Sequence, residues 1–483
     1  MSSRDYEAAT RRCECCTGYY AMTIPSRQTV LLRLPFSEAG FPDRVAEQYE
    51  QLLREAHRGL DDGGVPQDGR REWIVPGRIE VLGKHVDYAG GRSLLCTVER
   101  GIAIVARPHA ARTLVVRDAR RREALSIPFD MSPQGSLPWS VYPRTVVHRL
   151  VRNFGEQVQG CDIALASNLP AAAGVSSSSA LTVGLTVVIA ALSELTTHEL
   201  WPVAIHDRLD LAGYVGALEN GADFGVLGGE RGVGTMGGAQ DQTAILCSTP
   251  EQLDVFSWAP VRHERSVPWP AEYTFIVGVS GVVAAKTGGA RDRYNRVARA
   301  AHRIVDAWNQ ASRGRARTLY EAFVEAAGGD PTSHVPIPLI DAARAGADHE
   351  FLADALEARL HQFHEEAFHT VPNAASALAA HDLDEFGRLV AVSQAGAERA
   401  LGNQIPATSA LVTIAKELGA SASSAFGAGF GGSVWAMIRR DDAERFTTRW
   451  RDQYVRSRSG HTPRMHFFAT SPSAPAFEVL QDG

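Results

Sequence analysis

From Phe41 to Leu60 the apolar residues Val45, Tyr49, Leu52 and Leu53 recur at helical spacing among charged neighbours. The spacing predicts an amphipathic helix, and Asp61-Asp62-Gly63-Gly64 predicts its end. Between Trp73 and Arg107 the period shortens. Glu72–Val75, Arg78–Leu82, Ser93–Thr97 and Ile102–Ala106 read as short strands separated by glycine and charged turns. Cys161–Ala166 reads as another strand, and the small-residue segment 170–179 leads into a strongly apolar helix over 180–193. A helix is expected from Pro202 to Glu219, then a glycine-rich loop through Gly238. After the strand Tyr273–Val279, helices are expected over 291–311, 316–326, 349–370, 373–400 and 407–418, before a last strand, Ser433–Ile438. Early strands and later helices predict an α+β chain of two domains: a leader over 1–30, a first domain over 31–262 and a second over 263–483.

Composition removes several classes of function. At 483 residues, 45% apolar and 22% charged, the chain has the balance of a globular protein. A net charge of -6, with basic residues dispersed among acids, gives no footprint for nucleic acid. The apolar run Leu181–Leu192 is shorter than the roughly 20 residues that a membrane span needs. Asp5, Glu7, Arg11, Arg12 and Glu14 interrupt any signal-peptide core, so a cytoplasmic location is the default expectation. Six cysteines in so long a chain are not a disulfide framework. Cys13, Cys15 and Cys16 lack a second Cys/His pair at zinc-finger spacing, and Cys96, Cys161 and Cys247 read as small buried hydrophobes.

The chemistry concentrates in four segments. Asn168–Ala180 lies between a strand and a helix, and its small residues allow close backbone approach. The helix amides and dipole attract an anion, while Ser176 to Ser179 add hydroxyl donors. No Gly-Lys-Ser/Thr is present, so this is not a Walker loop. Gly427–Gly432 satisfies G-x-G-x-x-G but precedes the strand Val434–Ile438, whereas a dinucleotide fingerprint lies between a strand and a helix. Asp241 follows the glycine-rich loop, where a carboxylate either orients a hydroxyl and takes its proton or simply caps the loop. Arg78 and Asp87, read alone, suit a structural ion pair as well as a site, and Glu219 suits a helix-surface salt bridge.

Taken together these segments resemble one family. Gly77-Arg78-Ile79-Glu80-Val81-Leu82-Gly83-Lys84-His85-Val86-Asp87-Tyr88-Ala89-Gly90-Gly91 resembles the sugar-binding signature of galactokinases, a branch of the GHMP small-molecule kinases. Residues 170–180 resemble the family's second motif and Gly427–Gly432 its third; the resemblance spans about residues 72–440. It implies a two-domain GHMP kinase fold, ribosomal-protein-S5-domain-2-like in the N-terminal half and ferredoxin-like in the C-terminal half, with the active site between them. The implied activity is ATP- and Mg2+-dependent phosphorylation of the anomeric hydroxyl of galactose or a galacto-configured sugar, without nucleic acid, membrane or an obligate protein partner.

By the same resemblance Asp241 and Arg78 are the catalytic pair, and Lys84, His85, Asp87, Gly238 and Tyr294 bind the sugar. Pro170, Gly174, Ser176, Ser177, Ser178, Ser179 and Trp139 bind ATP, and Ser178 with Glu219 holds magnesium. The chain departs from the family in several places. Ala172 and Ala173 replace glycines, Ser423–Phe426 stands where an arginine is common, and residues 223–235 carry extra glycines that suit a pocket wall or a lid. Glu80 replaces a usual asparagine, and Lys84 replaces a glutamate that contacts the C6 hydroxyl. An ammonium there suits an anionic or C6-extended sugar as well as neutral galactose, unless Lys84 pairs with a protein acid such as Glu80. A non-catalytic galactokinase-like sensor is the alternative of another class.

Overall fold

The computed structural model describes residues 29–130, 138–170, 173–282, 289–427, 429–458 and 464–480. Cys13, Cys15 and Cys16, Ala171 and Ala172 lie outside the described residues. The strands in chain order are β1 (Arg33–Pro35), β2 (Arg71–Leu82), β3 (Arg92–His109), β4 (Thr113–Asp118), β5 (Glu123–Pro128), β6 (Gly160–Ser167), β7 (Gln252–Trp258), β8 (Val261–Pro268), β9 (Tyr273–Ser280), β10 (Ala422–Ala425), β11 (Ser433–Arg439), β12 (Met465–Thr470) and β13 (Phe477–Leu480). They form two sheets. The first runs β1-β13-β2-β3-β6-β4-β5, with the β7–β8 hairpin attached along β3; the second is the antiparallel β10-β11-β9-β12.

The first sheet is covered on both faces. The expected amphipathic helix spans Asp43–Asp61 and buries Val45, Tyr49, Leu52, Leu53, Ala56 and Leu60 against Ala103 and Val105 of β3 and Ala164 and Ala166 of β6. On the other face lies the helix Ser177–Leu192, buried nearly all round, as its lack of a polar face requires. A helix over Val141–Phe154 packs in the same core. In the second sheet β9 is buried throughout, and the helices Pro406–Glu417 and Ala443–Ser457 press Leu411, Trp450 and Tyr454 onto it.

The expected boundary at 262/263 falls inside the β7–β8 hairpin, so β8 stays with the first sheet. The C-terminal strand returns as well. β13 inserts between β1 and β2, and Arg71 clasps both carboxylate oxygens of Glu478 at 2.7 Å. Such a bidentate pair fixes the last strand in register. The helices expected over 349–370 and 373–400 break elsewhere. Ala353–His364 continues through a wider turn, Glu365–Thr370, into Val371–Ala379. That wide turn lets the chain pass Pro372 without a break. The next helix starts at Leu383, where the Asp382 side chain caps Glu385 N.

Candidate active site

Two shifts of register in the β2–β3 ladder, between Pro76 and Arg78 and between Glu80 and Leu82, bracket the residues that reach the site. Such irregularities re-aim side chains. Gly77 lies in the first: a Cβ there would stand 2.7 Å from the Val175 carbonyl oxygen and from Leu169 Cδ2. The bare glycine therefore lets the serine loop seat directly on the strand.

Asp241, in the first turn of the helix Gln240–Cys247, is the centre of the arrangement. Its Oδ1 accepts from Arg78 Nε at 2.8 Å and Nη2 at 2.6 Å. Its Oδ2 accepts from Ser176 Oγ at 2.7 Å and Ser179 Oγ at 3.2 Å. Arg78 Nη1 reaches the Gly174 carbonyl at 2.6 Å. One guanidinium thus ties the carboxylate to the serine loop. Ser176 stands at the N-cap of Ser177–Leu192 in the left-handed conformation (φ 57°), and its hydroxyl goes to Asp241 rather than to the helix amides. The first amides of that helix have no side-chain cap, the condition in which a helix start can take an anion. Ser177 and Ser178 are half-buried in its first turn.

Beside Asp241 opens a cleft of about 510 Å³, counting the open solvent at its mouth. Arg78, His85, Asp87, Gly238, Asp241 and Tyr294 share its wall with Ser179 and Glu219. Asp87 Oδ2 accepts from Gly238 N at 3.0 Å, and a Cβ at 238 would overlap that carboxylate. His85 Nδ1 lies 2.9 Å from the Tyr88 hydroxyl, and its ring is 5.1 Å from the Tyr294 ring. Burial, then the charge of Asp241, raises the Asp87 carboxyl above its ordinary value despite backbone donors from Tyr88, Gly238 and Gln240. Burial also holds the Tyr294 hydroxyl neutral, far above its usual range.

The 223–235 insertion is no free flap. Arg149 donates to the Ala222 carbonyl and Asn153 to that of Gly228. Its end reaches the cleft at Thr235, and Asn295 clasps it by accepting from Met236 N at 2.9 Å and donating to the Gly234 carbonyl at 3.0 Å. Tyr294 neighbours that clasp on the helix Gly289–Ser312.

Lys84, expected at the sugar, stands elsewhere in this structure. It does not line the cleft. Gly83 (φ 107°) and His85 (φ 57°) both adopt left-handed backbone, and Lys84 between them turns away, fully buried, to Ser393 Oγ and Ser424 Oγ. Trp139 also stands apart from the cleft wall, half-buried, with its indole N–H on Glu123 at 2.9 Å. Pro170 is partly buried at the start of the serine loop.

The sequence reading missed Glu80, Gln240 and Gly427 as wall residues. Gln240 Nε2 donates to Glu80 Oε2, Ser93 Oγ donates to Gln240 Oε1 at 2.7 Å, and Trp258 Nε1 donates to Ser93 at 3.0 Å. Burial pushes Glu80 up to about 7, against the pull of Arg78, Lys84 and Gln240. The available signal was alternation: Arg78 and Glu80 lie two apart on one strand and share a face.

Comparison with known proteins follows the same outline. Residues 66–108 match the galactokinase galactose-binding signature, 141–249 the N-terminal domain of GHMP kinases and 374–456 their C-terminal domain. A galactokinase of Roseiflexus sp. is 26% identical over 77% of this chain and 84% of its own length. One from Exiguobacterium sibiricum is 29% identical over 40% of this chain and about half (48%) of its own length. The crystal structure of Lactococcus lactis galactokinase complexed with galactose superposes with a TM-score of 0.70 at 20% identity, covering 87% of this chain and 98% of that one. At that identity the likeness establishes the fold.

Proposed function

We propose that this chain, which belongs to the GHMP kinases and carries the galactokinase galactose-binding signature, transfers the γ-phosphoryl group of ATP to the anomeric hydroxyl of galactose or a galacto-configured sugar, giving a sugar 1-phosphate. The observation that carries the reading is the meeting of two motifs at one carboxylate: Asp241 is held by Arg78 from the sugar signature and by Ser176 and Ser179 from the serine loop. Sugar and phosphate would therefore meet beside it.

In this reading the Asp87 carboxylate and the His85 ring take ring hydroxyls of the sugar, with the Gly238 amide keeping Asp87 in place and Tyr294 closing the wall. The anomeric hydroxyl comes to Asp241 Oδ2, a serine hydroxyl gives way, and the carboxylate orients the hydroxyl and takes its proton. Phosphoryl transfer passes through a loose transition state, so position and charge matter more than a strong base. Arg78 neutralises charge on the transferring group while holding Asp241. The amides and hydroxyls of Ser176, Ser177, Ser178 and Ser179, with Gly174 and Pro170 shaping the loop, receive the ATP phosphates. Trp139 serves the nucleotide side.

Among the described residues no three His, Cys, Asp or Glu side chains gather into a metal site. One hydroxyl, Ser178, and one carboxylate, Glu219, are oxygen donors of the kind magnesium takes when substrate phosphates and water complete its shell. The ion would offset phosphate charge. Among the described residues no helix is long and apolar enough to cross a membrane.

Neutral galactose is the favoured substrate, because Lys84 offers nothing to an acidic C6 group. The test is ADP release with galactose, galacturonate and 6-phosphorylated galacto sugars, for the wild type and Asp241→Asn. Expected are turnover with galactose, little with the acids, and a variant whose kcat falls about 10²-fold or more while ATP still binds. ATP binding without ADP release on any sugar would make the protein a sensor instead.

A further inference from the structure

A lysine buried at a substrate-binding turn, yet turned from the substrate, calls for a physical account. The Lys84 ammonium is fully enclosed and donates to hydroxyls on two separate elements: Ser393 Oγ at 3.1 Å, on the helix Leu383–Gly396, and Ser424 Oγ at 2.7 Å, on β10. Ser424 passes a hydrogen bond to Gln394 Oε1 at 3.0 Å, which also accepts from Ala425 N. Ser393 donates to Glu366 Oε1 at 2.8 Å, and that same oxygen accepts the amides of Gly83 at 2.7 Å and Lys84 at 3.3 Å. Arg359 donates to the His85 carbonyl at 2.5 Å and Gln362 to that of Lys84 at 3.4 Å. A desolvated ammonium persists only where its donors are used and its charge is balanced. Burial draws the Lys84 ammonium below its ordinary value, and the charges of Glu366, Glu80 and Glu398 oppose that fall.

The far end of this network reaches the phosphate side. β10 runs directly into Phe426 and Gly427, and Gly427 forms part of the cleft wall. A Cβ on Gly174 would touch the Phe426 ring at 3.3 Å, and Ser433 Oγ donates to the Ala173 carbonyl. The strand that Lys84 grips therefore ends on the serine loop, while the turn that carries Lys84 presents His85 and Asp87 to the cleft.

We propose that Lys84 is a positioning residue: its ammonium fixes the turn of His85 and Asp87 against β10, so that sugar and phosphate loop are held in register by one side chain. The proposal rests on the sugar-kinase reading above, but its first readout is sugar binding and needs no turnover.

The test compares Lys84→Met, which keeps the stem and removes the donors, with Ser424→Ala, a milder loss of one acceptor. Calorimetry with galactose and with ATP gives both affinities, and steady-state kinetics give kcat and KM. In Lys84→Met, Kd and KM for galactose should rise by at least about tenfold and kcat should fall about tenfold as sugar and phosphate loop lose register, while the ATP Kd changes by less than about threefold; Ser424→Ala should move galactose binding in the same direction by less. A purely structural role would lower the folded fraction and leave folded protein with wild-type sugar affinity, and that result overturns the proposal. Equal losses of sugar and ATP affinity overturn it too. Should Lys84→Met fail to fold, Ser424→Ala and Ser393→Ala carry the same criteria. A wild type that binds no galacto sugar defeats the functional reading itself, whereas normal wild-type binding with unaltered variants defeats only the role of Lys84.

Discussion

Replacing Glu80 with glutamine tests how the cleft wall is built. The carboxyl is buried, and its folded value is about 7 against an ordinary 4.5. At about 1.4 kcal/mol per pH unit, ionising it costs the folded protein roughly 3 to 4 kcal/mol more than it costs the unfolded chain. The sign follows from linkage. The folded state binds the proton more tightly, so the associated stability is complete below about pH 4.5 and is lost as pH rises through about 7. Integrating between those limits, wild type has lost under about 1 kcal/mol at pH 5 and nearly all of that stability at pH 8. Glutamine keeps the shape and does not titrate. The stability of Glu80→Gln relative to wild type should therefore rise by roughly 2 to 3 kcal/mol from pH 5 to pH 8. Urea midpoints and slopes at a series of pH values measure it, and comparing the two proteins at each pH removes the titrations of groups not coupled to Glu80. A difference that stays flat across that range would refute the desolvated acid in the wall.

Three further substitutions address the site. Arg78→Lys loses the fork that gives Asp241 two bonds and Gly174 one; kcat at saturation should fall about 10²- to 10³-fold, and a loss below tenfold would remove Arg78 from charge stabilisation. Asn295→Ala releases Met236 N and the Gly234 carbonyl, worth about 1–3 kcal/mol, so the galactose KM should rise about tenfold with a smaller change in kcat. An unchanged KM would mean that the loop holds its own shape. Gly77→Ala pushes a methyl against the Val175 carbonyl at 2.7 Å; kcat/KM for ATP should drop about tenfold or more while galactose Kd barely moves, and a normal ATP parameter would show that the serine loop tolerates the shift.

The motifs themselves were legible because each packs its chemistry into a short run. The serine loop precedes an apolar helix, Asp241 follows glycines, and Arg78, His85 and Asp87 share one signature. Long-range closure was not legible. Lys84 stands in the sequence where a sugar contact is expected, but Glu366, Ser393 and Ser424 lie some 280 to 340 residues onward. No local pattern announces left-handed backbone at His85, a residue with a full side chain. The same limit hid the return of β13, whose partner Arg71 is 407 residues away. The helix break expected near residue 371 is not there, because a wide turn carries the chain past Pro372.

The central claim is that phosphate goes from ATP to the anomeric oxygen of a galacto sugar. Phosphorus NMR of the purified protein with galactose, ATP and magnesium reads it directly. The expected product shows one new phosphomonoester coupled to the anomeric proton, formed in step with ADP and lost in Asp241→Asn. A phosphoester on any other hydroxyl, or ADP appearing with free inorganic phosphate and no sugar phosphate, would contradict the account.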